Sequence, residues 1–360
     1  MERFVQLHLL TSYPPANLNR DDLGRPKTAL VGGAERLRIS SQSLKRAWRT
    51  SDVFADKLDG NIGTRTKRLG EEVFNQLVAG GVAEKKARDW ARKIANVFGK
   101  LKQAKKDDDS PEALHIEQLA HISPEEQAAI DELVRHLIAT GEAPTDDLKL
   151  LRRQKSAADI ALFGRMLADK PRCNTEAACQ VAHAITVHKV VVEDDFYTAV
   201  DDLNRGEEDV GAGHMGDTEF GAGLFYLYLC IDRRLLLENL GGDTDLAKRT
   251  LAALIESAAT VAPTGKQNSF ASRARASYIL CEKGDAQPRN LSVAFLKPAE
   301  AHGDGLLANA IAALEDERDR LDQAYGDADA DANAAVMDTL KGVGSLKEII
   351  AYATGDREND

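Results

Sequence analysis

Hydrophobic spacing changes period several times along the chain. Phe4, Val5, Leu7, Leu9 and Leu10 predict a first strand that stops before Pro14 and Pro15. The loop from there to Gly33 sets Arg20, Arg25 and Lys27 among the turn formers Asp21, Asp22 and Gly24. Its length marks it as more than a connection. Arg36-Leu37-Arg38-Ile39 alternates as a half-buried strand does, placing Leu37 and Ile39 inward and both guanidinium groups on the wet side. Ser40 and Ser41 offer N-cap hydroxyls to the helix that follows. On that helix Gln42, Lys45, Arg46 and Arg49 form one polar stripe opposite Leu44, Ala47 and Trp48.

Between about 66 and 151 the period becomes helical, through Leu69, Val73 and Leu77, then Trp90, Ala91 and Ile94, then Leu133 and Leu137. Within it Ser123-Pro124-Glu125-Glu126 is a helix start with proline at the first position. This block reads as an inserted helical subdomain. Strand-like sequence returns at Asp159 to Met166 and Val181 to Val192, and a glycine-rich hairpin tip spans Gly206 to Gly216. Beyond it the pattern predicts strands at Phe220 to Ile231, Ser277 to Cys281 and Leu291 to Phe295. Helices are expected over Thr244 to Val261, Leu306 to Tyr325 and near Leu346. The order is that of an α+β fold, an RRM-like (ferredoxin-like βαββαβ) core with long insertions. The RNA-binding signature of such sheets is absent, and Phe220-Gly-Ala-Gly-Leu-Phe-Tyr only loosely echoes it.

Composition and charge narrow this reading. The 360 residues are 43% hydrophobic and 29% charged, enough for one large core with a big insertion. A net charge of -11 argues against nonspecific nucleic-acid binding by the whole surface, yet residues 1–50 carry +5 and the other 310 carry -16. Four scattered cysteines make no disulfide scaffold, so a reducing cytoplasm is the default. The N-terminus reads as a strand rather than a signal sequence, and no apolar run approaches the ~20 residues needed to span a bilayer.

The basic helix start is a place for a phosphate, because free N–H groups, a partial positive charge and several arginines converge there. Nucleic-acid backbone fits it better than a nucleotide, since no GxxxxGK[ST] loop is present. Cys173, Cys179, His183 and His188 invite zinc, but their spacing matches no common finger, and two histidines five apart face opposite sides of a strand. No metal or cofactor is expected. His8, His183, His188 and His214 lie in no motif linking them to a nucleophile. The pairs Asp21-Asp22, Asp194-Asp195 and Asp201-Asp202 sit where turns already favour Asp. Met166 and Tyr197 are either core residues or bulky wedges able to part stacked bases.

Leu18-Asn19-Arg20-Asp21-Asp22 and Arg36-x-Arg38-Ile39-Ser40-Ser41-Gln42-Ser43-Leu44-Lys45-Arg46-Ala47 together resemble the backbone subunit of CRISPR Cascade complexes, in its type I-E CasC family. Asp159-Ile160-Ala161-Leu162-x-Gly164-Arg165-Met166, Ala182-His183-Ala184-Ile185-Thr186-x-His188, Thr198-Ala199-Val200-Asp201-Asp202-Leu203 and Glu238-Asn239-Leu240-Gly241-Gly242 extend the likeness to about residue 270. The resemblance implies a palm (1–65, 152–191 and 219–360 with the C-terminal helices), helical fingers (66–151) and a thumb hairpin (192–218). It also implies a noncatalytic cytoplasmic protein that lines up in several copies along a guide RNA (crRNA) in antiviral defence. Its partners would be crRNA, target DNA through the crRNA heteroduplex, other copies in a helical filament, and the large, small, 5'-handle-binding and crRNA-processing endonuclease subunits, with no membrane.

On the same resemblance Arg20, Lys27, Ser40, Gln42, Lys45, Arg46 and Arg49 grip the RNA backbone. Met166 and Tyr197 with Thr198, beside Arg165 and Phe196, stand where the family wedges the guide so that one base at a time flips out. Lys266 and Gln267 are further contacts. Arg38 either touches RNA or braces the loop through Asp21 or Asp22. The competing reading is a ferredoxin-like RNA-processing endonuclease with His8 or His188 as general base.

Overall fold

The computed structural model describes residues 2–103, 110–152, 156–167, 170–199, 214–303, 305–326 and 333–355. The first elements are β1 (Phe4–Ala16), β2 (Thr28–Val31), β3 (Ala34–Ile39), α1 (Ser41–Arg49), α2 (Asp52–Lys57), β4 (Thr64–Thr66), α3 (Leu69–Ala79) and α4 (Glu84–Ala95). Then come β5 (Ala120–Ile122), α5 (Pro124–Thr140), α6 (Ala158–Phe163), β6 (Cys179–Val181), β7 (Ala184–Thr186), β8 (Glu193–Ala199) and β9 (His214–Asp232). Last are α7 (Arg233–Asn239), α8 (Thr244–Thr260), α9 (Gln267–Phe270), β10 (Ala276–Gly284), α10 (Leu306–Tyr325), β11 (Ala334–Asp338) and α11 (Leu346–Thr354). They form two compact units, one of Met1–Phe54, Gln180–Ile231 and Leu251–Asp360, the other of Ala55–Cys179 and Asp232–Thr250.

The first unit is built on a sheet of order β11-β10-β1-β9-β7-β3-β2. β1 runs antiparallel to β10 from Phe4↔Gly284 to Leu10↔Tyr278, then slips register to Thr11↔Ala276. β3 pairs antiparallel with β7, and β7 with β9. β1 is buried on both faces, so Val5, Leu7 and Leu9 pack on one side while Leu10 joins Tyr226, Tyr228, Tyr278, Phe295 and Leu314 on the other. β1 does not stop at Pro14 and Pro15 as the sequence predicts. The ladder to β10 ends at Thr11, so on that side the prolines' missing N–H groups forfeit no bond. Gly32 and Gly33, both at positive φ, make the tight β2–β3 turn.

Three further expectations are corrected. Asp159 to Phe163 is the helix α6, its carboxylate accepting the N–H groups of Ile160 and Gly63. Val181 to Val192 holds only the end of β6 and the three residues of β7. Leu291 to Phe295 forms a 3-10 turn in which Phe295 is buried; an apolar run that short carries no period able to tell the two apart.

A polar network crosses the interior of the first unit. His8 bonds Tyr226 Oη at 2.9 Å and Glu282 at 3.2 Å, while Arg289 and Arg318 reach Glu282 at 3.1 and 3.0 Å. Burial alone would push the Glu282 carboxyl up, but the His8 hydrogen bond and the two guanidinium groups outweigh it and hold the pKa down at about 2. Desolvation lowers the His8 pKa, so His8 is neutral and Arg289 and Arg318 balance the carboxylate.

In the second unit α3, α4 and α5 pack through Leu69, Val73, Leu77, Trp90, Ile94, Ile130, Val134 and Leu137. Its sheet is the pair β4–β5. α5 opens on a capping box in which the Ser123 hydroxyl accepts the Glu126 N–H and the Glu126 carboxylate accepts the Ser123 N–H. Among the described residues no helix is long and apolar enough to cross a membrane.

Candidate nucleic-acid interface

In the first unit α1 buries Leu44, Ala47 and Trp48 and turns its basic side outward. Ser40 caps it, the hydroxyl accepting the Ser43 N–H, while the Ser40 N–H donates to Asn19 Oδ1 at 2.8 Å. The Asn19 carbonyl accepts the Lys27 N–H, so this one residue fixes both the helix start and the basic loop. The result is an open groove of about 480 Å³ lined by Arg20, Ser43, Arg46, Thr50 and the Pro263–Gly265 turn. Asp21 and Asp22 also line it. The Asp21 carboxylate is turned into its own loop, accepting the N–H groups of Leu23 and Arg25.

The polar stripe of α1 therefore divides. Arg46 faces the groove with Ser43 and Thr50, whereas Gln42, Lys45 and Arg49 do not line it. Arg36 is corrected outright. It is fully buried, donating to the carbonyls of Thr186 at 3.1 Å and Phe295 at 2.8 Å with Nε unpartnered, because the segment around Phe295 covers the expected wet side. Desolvation lowers its pKa. Arg38 braces neither aspartate; its guanidinium meets His183 Nδ1 at 3.0 Å. Partial burial and the charges of Arg38 and Lys27 lower the His183 pKa, so the neutral ring accepts.

The hairpin of β8 and β9 rises from the same unit, with Phe196 opposite Asp217, Tyr197 opposite Gly216 and Thr198 opposite Met215. Phe196, Tyr197 and Met215 are exposed, Phe196 by 64%. A Cβ on Gly216 would lie 2.6 Å from Tyr197 Oη, so only glycine lets the ring fold across the strand. Glu193, Asp194, Asp195, Asp217 and Glu219 flank these residues, and the described hairpin holds no Lys or Arg. These described residues offer a polyanion ring and thioether faces. Positions 200–213 of the expected thumb hairpin lie outside the described residues.

Both groove walls are fastened to the hairpin root. Arg25 pairs with Glu219 at 2.8 Å, a hydrogen bond and charge attraction that raise the guanidinium pKa, and Asn17 Nδ2 donates to the Glu219 carbonyl. From the other wall Lys266 Nζ donates to the Thr218 hydroxyl. Lys266 itself is left-handed at φ 45°, ahead of Gln267 in the short α9. At Gly265 the turn crosses the first wall so closely that a Cβ would sit 2.4 Å from the Leu18 carbonyl oxygen.

In the second unit Met166 is 80% exposed on a loop held from both sides. Arg165 and Thr175 exchange backbone hydrogen bonds, and the Leu167 N–H donates to Asn174 Oδ1 at 2.6 Å. The Arg165 side chain is only 2% exposed and makes a bidentate pair with Glu126 at 2.6 and 3.1 Å. Burial would raise the Glu126 pKa; the Arg165 hydrogen bond and charge outweigh it and lower it. The Arg165 guanidinium is thus taken up by Glu126 and the carbonyls of His121 and Cys173.

Sequence reasoning missed Ser43, Thr50 and Thr264 as groove residues, and Asn19 as the post between loop and helix. Ser43 and Thr50 lie one turn either side of Arg46, a signal available from helical spacing alone. His188 is held by backbone, its Nε2 accepting the Leu224 N–H and its Nδ1 donating to the Lys189 carbonyl. Among the described residues no group of three or more His, Cys, Asp or Glu could hold a metal ion.

Antiparallel sheet and helices together place the chain in the mixed α+β class. It belongs to the CT1975-like protein family, which it matches over residues 5–351. It is similar to a chain of a solved CRISPR RNA-guided surveillance complex, pre-nicking, at 34% identity over 89% of each chain with a TM-score of 0.76. A chain of another CRISPR RNA-guided surveillance complex matches at 25% identity, over 97% of this chain and 98% of that one, with a TM-score of 0.59. Comparison with curated proteins gives no match.

Proposed function

We propose that this chain is the noncatalytic guide-RNA-binding backbone subunit of a type I-E Cascade complex, the CasC type, polymerising along crRNA and presenting it to target DNA. The observation that carries the reading is the groove of Arg20 and Arg46, tied through Thr218 and Glu219 to a hairpin that exposes Phe196 and Tyr197. Cations on one side hold phosphates, and aromatic faces on the other part the bases. Lys27, Ser40, Gln42, Lys45, Arg49 and Gln267 extend the backbone contact, Thr198 supports the wedge and Met166 supplies a second one. The order β10-β1-β9-β7, with α1 and α8 in the connections, supports an RRM-like palm. In that division 66–151 supplies the fingers and 192–218 the thumb.

The working form is cytoplasmic, with crRNA, further copies of the chain and the remaining Cascade subunits as partners. The endonuclease reading draws no support, because His8 is completely buried and both His188 nitrogens are engaged by backbone. Glutamate at Lys45, Arg46 and Arg49 together is expected to abolish co-purification of RNA with the recombinant protein. Normal RNA retention by that variant refutes the assignment.

A further inference from the structure

The groove beside α1 is not purely cationic. Asp22 stands in its lining with Arg20 and Arg46, exposed on a turn that is clamped from several sides. The Asp21 N–H donates to the Arg25 carbonyl and the Lys27 N–H to the Asn19 carbonyl, both at 2.9 Å, while Asn17 Nδ2 donates to the Gly24 carbonyl at 3.0 Å. The Asp21 carboxylate is consumed inside that turn by the N–H groups of Leu23 and Arg25. The Asp22 carboxylate is not: among the described residues it makes no hydrogen bond and no ion pair, even with the two arginines that share its groove. An ionised carboxylate can only accept hydrogen bonds. Toward a phosphate it adds repulsion and nothing else, so a groove that held phosphates alone would bind better without it. What it can take is a donor carried on the same backbone. Ribose supplies one in the 2′-hydroxyl, next to the 3′-phosphate, and deoxyribose does not. A base N–H is the other donor, but it would tie binding to sequence, which a chain that coats guides of any sequence cannot use.

We propose that Asp22 is the residue by which this groove selects RNA over DNA, its carboxylate accepting a ribose 2′-hydroxyl while Arg20 and Arg46 hold the flanking phosphates. The proposal rests on the RNA-binding reading above and adds the sugar to it. The two arginines serve either nucleic acid; the carboxylate favours the one that brings a donor and repels the one that does not.

The test measures the affinity of the full-length protein for short single-stranded RNA and DNA of one sequence, by fluorescence anisotropy at low salt with a chelator present. The unchanged protein should prefer the RNA. Asp22→Ala should narrow the RNA-to-DNA ratio roughly tenfold, the RNA losing a hydrogen bond to a charged group and the DNA gaining from the repulsion removed. Asp22→Asn, which keeps an acceptor without the charge, should bind DNA more tightly than the parent and retain part of the preference. Asp22 is exposed and unpartnered among the described residues, so neither substitution disturbs the fold. No preference in the parent, or one ratio shared by all three proteins, overturns the role of Asp22 and leaves the RNA-binding reading standing. So does a ratio that shifts only when Mg²⁺ replaces the chelator, which assigns the carboxylate to a metal bridge. A protein that binds neither nucleic acid overturns both.

Discussion

Arg165 and Lys266 are instructive at the residue scale because each does less, and more, than its charge suggests. Arg165→Ala leaves the Glu126 carboxylate buried without its guanidinium, so unfolding stability should fall by about 3–5 kcal/mol, measurable by urea titration. Lys266 invites the opposite comparison. Lys266→Gly removes roughly 1 kcal/mol of left-handed strain but adds about 0.5–1 kcal/mol of unfolded-state entropy. The thermal midpoint should therefore barely move, while RNA affinity drops with the lost clasp on Thr218. A large loss of stability would mean that the clasp holds the fold rather than the ligand. Glu282 supplies a pH signature. Its folded pKa of about 2 lies below the ordinary value of 4.5, so its contribution is complete above pH 4.5 and disappears as pH falls toward 2. Glu282→Gln should be less stable than the parent at pH 7, and the two should converge in acid.

At the scale of elements, α1, α5, α8 and α10 were legible because their apolar residues keep one helical face, and α1 and α5 also open on serine N-caps. The β2–β3 turn was legible from its two glycines. What failed had a common cause. Arg36 sits on a strand with the right alternation, but the segment covering it comes from Phe295, far away in sequence, and no local period records that. Asp159 to Leu162 is buried on all sides, so it has no exposed face to give a helix away. The groove divides the same way: Arg20 and Arg46 could be picked out locally, while their meeting in one groove and the clasps on the hairpin root come from tertiary contact. The α1 stripe carries its own prediction. Changing Lys45, Arg46 and Arg49 to Ala should lower the slope of log affinity against log salt by roughly 2, since each phosphate contact on a single strand contributes about 0.7.

For the whole molecule the net charge of -11 sets a condition on assembly. Copies of an acidic protein repel one another and RNA adds further negative charge, so the proposed assembly rests on local cations such as Arg20 and Arg46 holding phosphates strongly enough to outweigh that repulsion. Particle mass should therefore grow with RNA length in sedimentation at low salt and shrink as salt is raised. A protein that binds long RNA yet stays one copy per strand contradicts the filament.

The network around His8 has a consequence for how the chain is made. Its members come from β1, β9, β10, the segment after β10 that carries Arg289, and α10, which supplies Arg318 and Asp322, the latter reached by Arg289 at 2.5 Å. During synthesis the first strand leaves the ribosome long before that aspartate exists. Until α10 has emerged, Glu282, Arg289 and the His8 ring must stay wet, since sealing them in without all their partners is unfavourable. The sheet of the first unit can thus close only once Asp322 has emerged, and a product stopped before it should be cleared by proteases rather than compete for RNA.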